Sequence, residues 1–347
     1  MSLTYKKSGV DIYRSSQIIK NIQKNLKNMN IKCSELILGI GGFSALIKIP
    51  KNYQNPILVT SVDGVGSKLN LSIKYKLYQS IGIDLVAMVV NDIIVYGAKP
   101  WIFFDYYSAN QLHIKISNTI MKSIIQGCKK SQCTLVGGET SEIPTASLKK
   151  TKNVHLAGFG IGLVEKKDII DGSKIQIGDV LIGLKSSGIH SNGYTLIKKI
   201  LDINLINIKS FQINNRLLKE YLFIPTKIYV KDVLFLVKKY HIHGIVHITG
   251  GGILKNIIRI VPKNGYKIII NTSSWEWPFL FKWIQKQGKI TTQEMYNVFN
   301  CGIGMIIIVP KYESNSILKE LNILGQKAWE IGNVIHNSFN QSKVVLY

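Results

Sequence analysis

The sequence predicts an α+β protein of two domains. Apolar runs of strand length alternate with stretches of helical length. Both halves share a rhythm of strand, glycine loop and helix, and no short repeat runs through the chain. At 347 residues the chain exceeds one ordinary domain and fits two of roughly 150–200 residues. Hydrophobic residues make up 46% and charged residues 18%, which supplies buried cores and argues against disorder.

Residues 55–62 (NPILVTSV) read as a buried strand ending in the loop Asp63-Gly64-Val65-Gly66-Ser67-Lys68. Residues 83–97 read as a mostly apolar helix, closed by Gly97 and stopped by Pro100. Residues 101–107 are aromatic and strand-like, and residues 114–130 have helical length. Residues 134–136 enter a second glycine turn, Gly137-Gly138-Glu139, and residues 155–164 read as a strand. Around residues 167–178 the pattern turns polar, which sets the expected domains at 1–168 and 169–347. In the second half, residues 179–184 read as a strand, followed by the loop Ser186 to Gly193 and a helix from Tyr194. Residues 226–240 read as a helix. Residues 243–249 read as a strand running into Gly250-Gly251-Gly252 and another helix, and residues 305–309 as a strand near the end.

The formal charge is +24, from 44 basic and 20 acidic residues. Only Arg14, Arg216 and Arg259 are arginine, the residue suited to bidentate reading of guanine, and the lysines are spread along the whole chain. Ile, Asn and Lys are all favoured by A/T-rich codons, so the excess reads as ordinary surface turned to lysine, with no specific nucleic-acid partner. No apolar run reaches the 18 or so residues that span a bilayer, and residues 1–16 hold no apolar signal core. Four cysteines are too sparse for a disulfide framework. A soluble cytoplasmic protein is the expectation.

The standard nucleotide loops are missing, since neither a P-loop nor a complete G-x-G-x-x-G occurs. Cys128 and Cys133 form one isolated pair, and His241, His243 and His247 alternate as strand positions do, so zinc is poorly supported. The acids say more because they are rare. Asp63 follows a buried-type strand, Asp84 and Asp92 lie on an apolar helix, Asp105 sits between Phe104 and Tyr106, and Glu139 follows Gly137-Gly138. A carboxylate in such surroundings needs a partner or a cation. Taken singly, each could cap a helix or pair with a lysine. Taken together, Asp63, Asp92 and Glu139 point to a shared magnesium site. Gly64 and Gly66, Gly137 and Gly138, and Gly250 to Gly252 would let backbone amides approach phosphate, with Lys68 neutralising its charge. His190 and His247 sit beside glycine loops, where either a general acid/base or a structural hydrogen bond fits.

At these residues the chain resembles the phosphoribosylformylglycinamidine cyclo-ligase family, the aminoimidazole ribonucleotide synthetases. The matching runs are Tyr5-Lys6 with Gly9-Val10-Asp11-Ile12, Gly41-Gly42-Phe43, DGVGSKL from Asp63, GIDLVAMVVNDIIVYGAKP from Gly82 and LVGGETSEIP from Leu135. In the second half they are SSGIHSNGYTL from Ser186, HITGGGILKN from His247 and FNCGIGM from Phe299. The resemblance implies ATP-dependent closure of formylglycinamidine ribonucleotide to 5-aminoimidazole ribonucleotide, with ADP and phosphate, through an iminophosphate in purine biosynthesis. It implies an N-terminal mixed sheet completing a β-barrel with a second subunit, a C-terminal α/β sandwich, and ATP with magnesium in the cleft between domains. Carried over to this chain, Asp63, Asp92 and Glu139 hold magnesium-ATP. Lys68, the Gly64/Gly66 turn, Gly137, Gly138, Thr249 and Gly250 to Gly252 contact the nucleotide, and His190, Asn192 and His247 lie near the reacting groups.

The chain departs from the family pattern at Ile189, Thr145-Ala146-Ser147, His155 and Leu254-Lys255. A sister ATP-using enzyme of selenophosphate synthetase, thiamine-phosphate kinase or hydrogenase-maturation type is the main alternative. The absence of cysteine from the first 32 residues counts against the first of these. A basic RNA-binding protein or an inactive scaffold are the readings from other classes.

Overall fold

The computed structural model describes residue 7 and residues 11–28, 33–144, 154–262, 264–337 and 343–347. Tyr5-Lys6, Gly9-Val10 and Thr145-Ala146-Ser147 lie outside the described residues. The chain divides into two compact units, Met1–Ile93 with Pro100–Lys166, and Ile94–Lys99 with Lys167–Tyr347. Both mix helices and strands, as the sequence predicts. No helix among the described residues is long and apolar enough to cross a membrane.

The first unit contains α1 (Ile12–Asn28), the antiparallel pair β1 (Leu36–Leu38) and β2 (Leu46–Ile47), then β3 (Pro56–Gly64), α2 (Ser67–Tyr75) and α3 (Ile81–Ile94). It continues with β4 (Lys99–Ala109), α4 (Ile114–Ser131), β5 (Thr134–Glu142) and β6 (Val154–Glu165). The sheet order is β3-β6-β4-β5. β3 and β6 are antiparallel with Asp63 opposite Gly158, and β4 and β5 are parallel with Tyr106 opposite Glu139. α3 is apolar almost all round and correspondingly buried along nearly its whole length. It crosses α4 so closely that a Cβ on Gly82 would lie 2.2 Å from the Ile124 backbone nitrogen, and the Ile83 N–H donates to Ser123 Oγ at 3.0 Å. Strand alternation gives the sheet two unlike faces. Tyr107 meets Ser117 of α4 through a hydroxyl pair at 3.2 Å on one face, whereas the cross-strand partners Val62 and Phe159 stay exposed.

The second unit runs β7 (Val180–Lys185), α5 (Tyr194–Ile203), β8 (Gln212–Ile213), β9 (Arg216–Leu217), α6 (Leu218–Leu222), α7 (Val230–Lys239), β10 (Gly244–His247) and α8 (Gly252–Ile257). It ends with β11 (Tyr266–Ile270), α9 (Phe279–Gly288), α10 (Thr292–Val298), β12 (Ile303–Val309), α11 (Lys311–Ile323), β13 (Ala328–His336) and β14 (Val344–Leu346). Its main sheet is ordered β10-β12-β7-β13-β11-β14 and is antiparallel except for the β11–β14 pair. The continuous apolar run of β12 is buried at every position, as befits a strand inside the sheet with both faces covered.

Two elements differ from the sequence reading. β5 passes straight through Gly137-Gly138-Glu139, so no turn forms there. The helix expected from residue 226 begins at Val230, because the preceding segment is tied to the Ser186–Gly193 loop: Ser187 Oγ donates to the Pro225 carbonyl at 2.7 Å, and Ser191 and Thr226 share a hydroxyl bond at 2.9 Å.

The helix crossing gives a direct test. Gly82→Ala is expected to lower the unfolding free energy by about 1–3 kcal/mol through overpacking, read as a lower urea midpoint at unchanged m-value.

Candidate functional site

In the first unit the chain leaves β3 through Asp63-Gly64-Val65-Gly66 and enters α2. The Asp63 carboxylate is half-buried and accepts the Gly64 N–H at 2.7 Å, bending the chain at the strand's end. Gly66 precedes the helix at φ 67°, ψ −154°, a conformation glycine adopts without strain. No side chain caps α2 and no acid lies in its first turn. Its first amides and the positive end of its dipole therefore suit an anion. The turn opens on a hollow of 340 Å³ lined by Gly64, Val65, Gly66, Leu69, Asn70 and, from β6, His155.

Lys68, in the first turn of α2, is placed by the core. Its side chain and that of Asp84 on α3 are both fully buried, with Nζ 2.8 Å from each carboxylate oxygen. Burial pushes the Lys68 ammonium down from its ordinary range, and the charge of Asp84 and its hydrogen bond push back. The lysine thus ties α2 to α3 beneath the glycine turn.

The structure does not gather Asp63, Asp92 and Glu139 around one ion. Asp63 and Glu139 lie on the two edge strands, β3 and β5, three inter-strand spacings apart, about 14 Å. Asp92 lies eight residues beyond Asp84 on α3, about 12 Å along its axis. Among the described residues, no three His, Cys, Asp or Glu side chains converge to hold a metal. Among the described residues the three carboxylates expected to share a cation are thus not found as one cluster.

Gly137 and Gly138 serve a different acid. A Cβ on Gly138 would lie 2.4 Å from Oδ1 of Asp105, so the glycine makes room for the carboxylate on the neighbouring strand. Asp105 is 5% exposed and its Oδ2 has no hydrogen-bond partner. Burial pushes its pKa up to about 7, and the nearby Glu139 charge adds to the rise.

In the second unit, two loops meet. A Cβ on Gly250 would lie 3.3 Å from Oδ1 of Asn192, which sets the Thr249–Gly252 turn beside the His190 loop. Asn256 on α8 holds that turn by donating to the Gly252 carbonyl at 2.7 Å, while the Thr249 hydroxyl donates to Asn256 Oδ1 at 3.3 Å. Asn300 braces the other loop, donating to the Gly188 carbonyl at 2.8 Å and accepting from Ser186 Oγ at 3.1 Å. His190 is 1% exposed at φ 64°, its ring 6.3 Å from that of Tyr229. Its Nε2 accepts the Ser187 N–H at 3.2 Å, which assigns the ring proton to Nδ1. His247 is buried at the end of β10. His190 and Asn192 thus lie in one of two adjacent loops of the second unit, and His247 ends the strand that leads into the other. The glycine turn, Lys68 and the carboxylates belong to the first unit.

Residues 42–164 match the AIR synthase related protein, N-terminal domain, and residues 176–343 match the AIR synthase related protein, C-terminal domain. The chain belongs to the AIR synthase-related family. Thiamine-monophosphate kinase from Stenotrophomonas maltophilia has a similar structure, at 12% identity over 95% of each chain, TM-score 0.67. E. coli HypE, a hydrogenase maturation protein, is similar at 14% identity over 95% of this chain and 93% of that one, TM-score 0.66. HypE in complex with ATP is similar at 15% identity over 93% and 90%, TM-score 0.67. At such identities these likenesses are of fold.

Sequence reasoning noted Asp105 without pairing it with Gly138, and it missed the Tyr229 ring beside His190 and the bracing done by Asn256 and Asn300. Buried asparagines within glycine-rich motifs are the signal that could have found two of them.

Because folded Asp105 holds its proton more tightly than the unfolded chain does, its contribution to stability is full below about pH 4. It declines as pH rises towards about 7 and levels off above. Urea unfolding at about pH 5 and about pH 8 should show wild-type protein losing more stability over that interval than Asp105→Asn. Lys68→Met leaves Asp84 without its buried counter-charge and is expected to cost roughly 3–5 kcal/mol of stability in the same measurement.

Proposed function

We propose that this AIR synthase-related protein is an ATP-using enzyme, and that its reaction is the closure of formylglycinamidine ribonucleotide to 5-aminoimidazole ribonucleotide with release of ADP and phosphate. The observation that carries the ATP half is the Gly64-Val65-Gly66 turn, which opens the uncapped N-terminus of α2 onto a hollow beside a carboxylate. The cyclo-ligase half is supported by the sequence runs that continue into the His190 and Gly250–Gly252 loops.

The chemistry asks for activation of an oxygen. An amide oxygen is a poor leaving group, so transfer of the γ-phosphoryl group onto it gives an iminophosphate. The amidine nitrogen then attacks that carbon, the C–O bond breaks, and the oxygen leaves as phosphate while the imidazole closes. Magnesium held by Asp63 together with phosphate oxygens would screen the triphosphate charge. The amides of the glycine turn and the α2 N-terminus orient the phosphates, and Lys68 fixes that turn from below. In the second unit, His247 is assigned a part in proton movement near the substrate. His190, with Nε2 engaged by Ser187, holds its loop in shape. The exposed apolar face carrying Leu58, Val62 and Phe159 supports pairing of two copies through this sheet.

The likeness to thiamine-monophosphate kinase and HypE favours a second reading, a sister reaction that uses the same phosphate turn on a different acceptor. A coupled assay decides between them. Purified protein with magnesium-ATP and formylglycinamidine ribonucleotide should yield ADP and the aminoimidazole product in equal amounts. ADP formed only with thiamine monophosphate would assign the kinase reaction instead. His247→Ala is expected to lower kcat at least about tenfold with its fold intact, and wild-type turnover would remove it from the chemistry.

A further inference from the structure

A hollow of 460 Å³ in the first unit lies apart from the glycine turn. It is lined by Arg14 of α1, Lys76 at the end of α2, Tyr78, and the chain from Leu112 to Ile116 that begins α4. Its volume lies within the range of small-molecule sites. The glycine turn begins α2 and Lys76 ends it, so the two places stand about 15 Å apart along that helix.

α4 presents an open N-terminus here. No side chain caps it, no acid lies in its first turn, and the first helical bond runs from the Ser117 N–H to the His113 carbonyl at 2.9 Å. The Ile114, Lys115 and Ile116 amides come before that bond, at the positive end of an 18-residue helix. Such a terminus is common; what singles this one out is Tyr78. It is 7% exposed, lines the hollow, and its hydroxyl has no hydrogen-bond partner among the described residues. Leaving the donor and acceptor positions of a hydroxyl unused inside a fold is unfavourable. Burial pushes the Tyr78 pKa up, which keeps on the oxygen the proton it would donate.

The surroundings favour negative charge. Asp11 and Glu142 are the acids beside Arg14, and both are engaged. Glu142 is fully buried and accepts from Arg14 and from the Asp11 and Leu112 N–H groups, and Asp11 accepts the Tyr13 N–H and lies 3.5 Å from Arg14. Lys76 and Lys115 are exposed and, among the described residues, paired with no carboxylate. The residues outside the described ones carry no aspartate or glutamate, so they bring no further negative side chain. We infer that this hollow binds a phosphate group, with the α4 amides and the Tyr78 hydroxyl donating to its oxygens and Lys76 and Lys115 supplying counter-charge. Leu112, Ile114 and Ile116 add apolar wall that can face a small organic body, so the phosphate is either free or the monoester of a small molecule. The site is separate from the reaction proposed above and does not depend on it.

Calorimetric titration of the full chain with inorganic phosphate, ribose 5-phosphate and ribose tests this. Wild-type protein should bind at least one of the phosphates and not ribose. Lys76→Gln/Lys115→Gln should weaken that binding at least about tenfold, and Tyr78→Phe, which removes only the hydroxyl, at least about threefold. The charge-matched pair Lys199→Gln/Lys209→Gln, at exposed positions of the second unit, should leave it within about twofold of wild type. Ribose 5-phosphate bound more tightly than inorganic phosphate assigns a monoester, and equal affinity assigns free phosphate. No phosphate binding by wild type at about 10 mM overturns the site, as does binding that either hollow variant leaves unchanged. Ribose bound as well as ribose 5-phosphate overturns it too. An equal loss in the two lysine pairs does the same, assigning the attraction to the overall charge of the chain.

Discussion

The ion pair between Lys68 and Asp84 is the constraint on which the site in the first unit depends. Neither side chain touches solvent, so each charge is tolerable only because the other is within hydrogen-bond reach. The pair joins the first turn of α2 to the first turn of α3, and α3 is locked in turn against α4 by the close approach at Gly82. The glycine turn between β3 and α2 is therefore held at both ends, by the sheet on one side and by the buried lysine on the other. Backbone geometry fixed in advance in this way costs little to organise should a ligand arrive.

The same pair shows where reading from sequence stops. The glycine pattern places Lys68 beside a glycine turn, and the turn is there, but the ammonium points into the core. Periodicity identified α3 as a buried helix and could not say which of its acids would meet the lysine sixteen residues earlier. Strand order was equally hidden. Asp63 opens a glycine-rich run and Glu139 closes one, each after an apolar segment, and nothing local distinguishes neighbouring strands from opposite edges. The order β3-β6-β4-β5 separates them. Gly137-Gly138 misled for a related reason: glycine there answers the Asp105 carboxylate across the strand pair, a contact between residues far apart in sequence.

What was legible was the periodic and the short-range. The strand into Asp63, the helix from Tyr194 and the strand into His247 follow from alternating or helical apolar patterns, and the structure has all three. In the second unit the glycine-rich loops were visible as loops. Their bracing by Asn256 and Asn300 depends on side chains reaching backbone carbonyls that no pattern rule names.

Scarcity of acid remains the most informative feature of this composition, for a reason other than cation binding. Among the described residues, Asp84, Asp105, Glu142 and Asp179 are the buried acids. Glu142 accepts from Arg14 at 2.9 Å, from the Leu112 N–H at 2.8 Å and from the Asp11 N–H at 2.6 Å, which fastens the start of α1 to the end of β5. Asp179 meets His243 at 2.7 Å and the Gln176 N–H at 2.8 Å, at the entry to β7. Asp84 anchors Lys68. In a chain with so few carboxylates, three of these four are spent on joints between elements, through the donors just named. Asp105 is the exception, its pKa lifted to about 7 by burial. A carboxyl group whose pKa burial lifts to about 7, housed by a glycine on the next strand, does not behave as a joint. Its environment opposes charge, on the strand that also carries Tyr106 and Ser108.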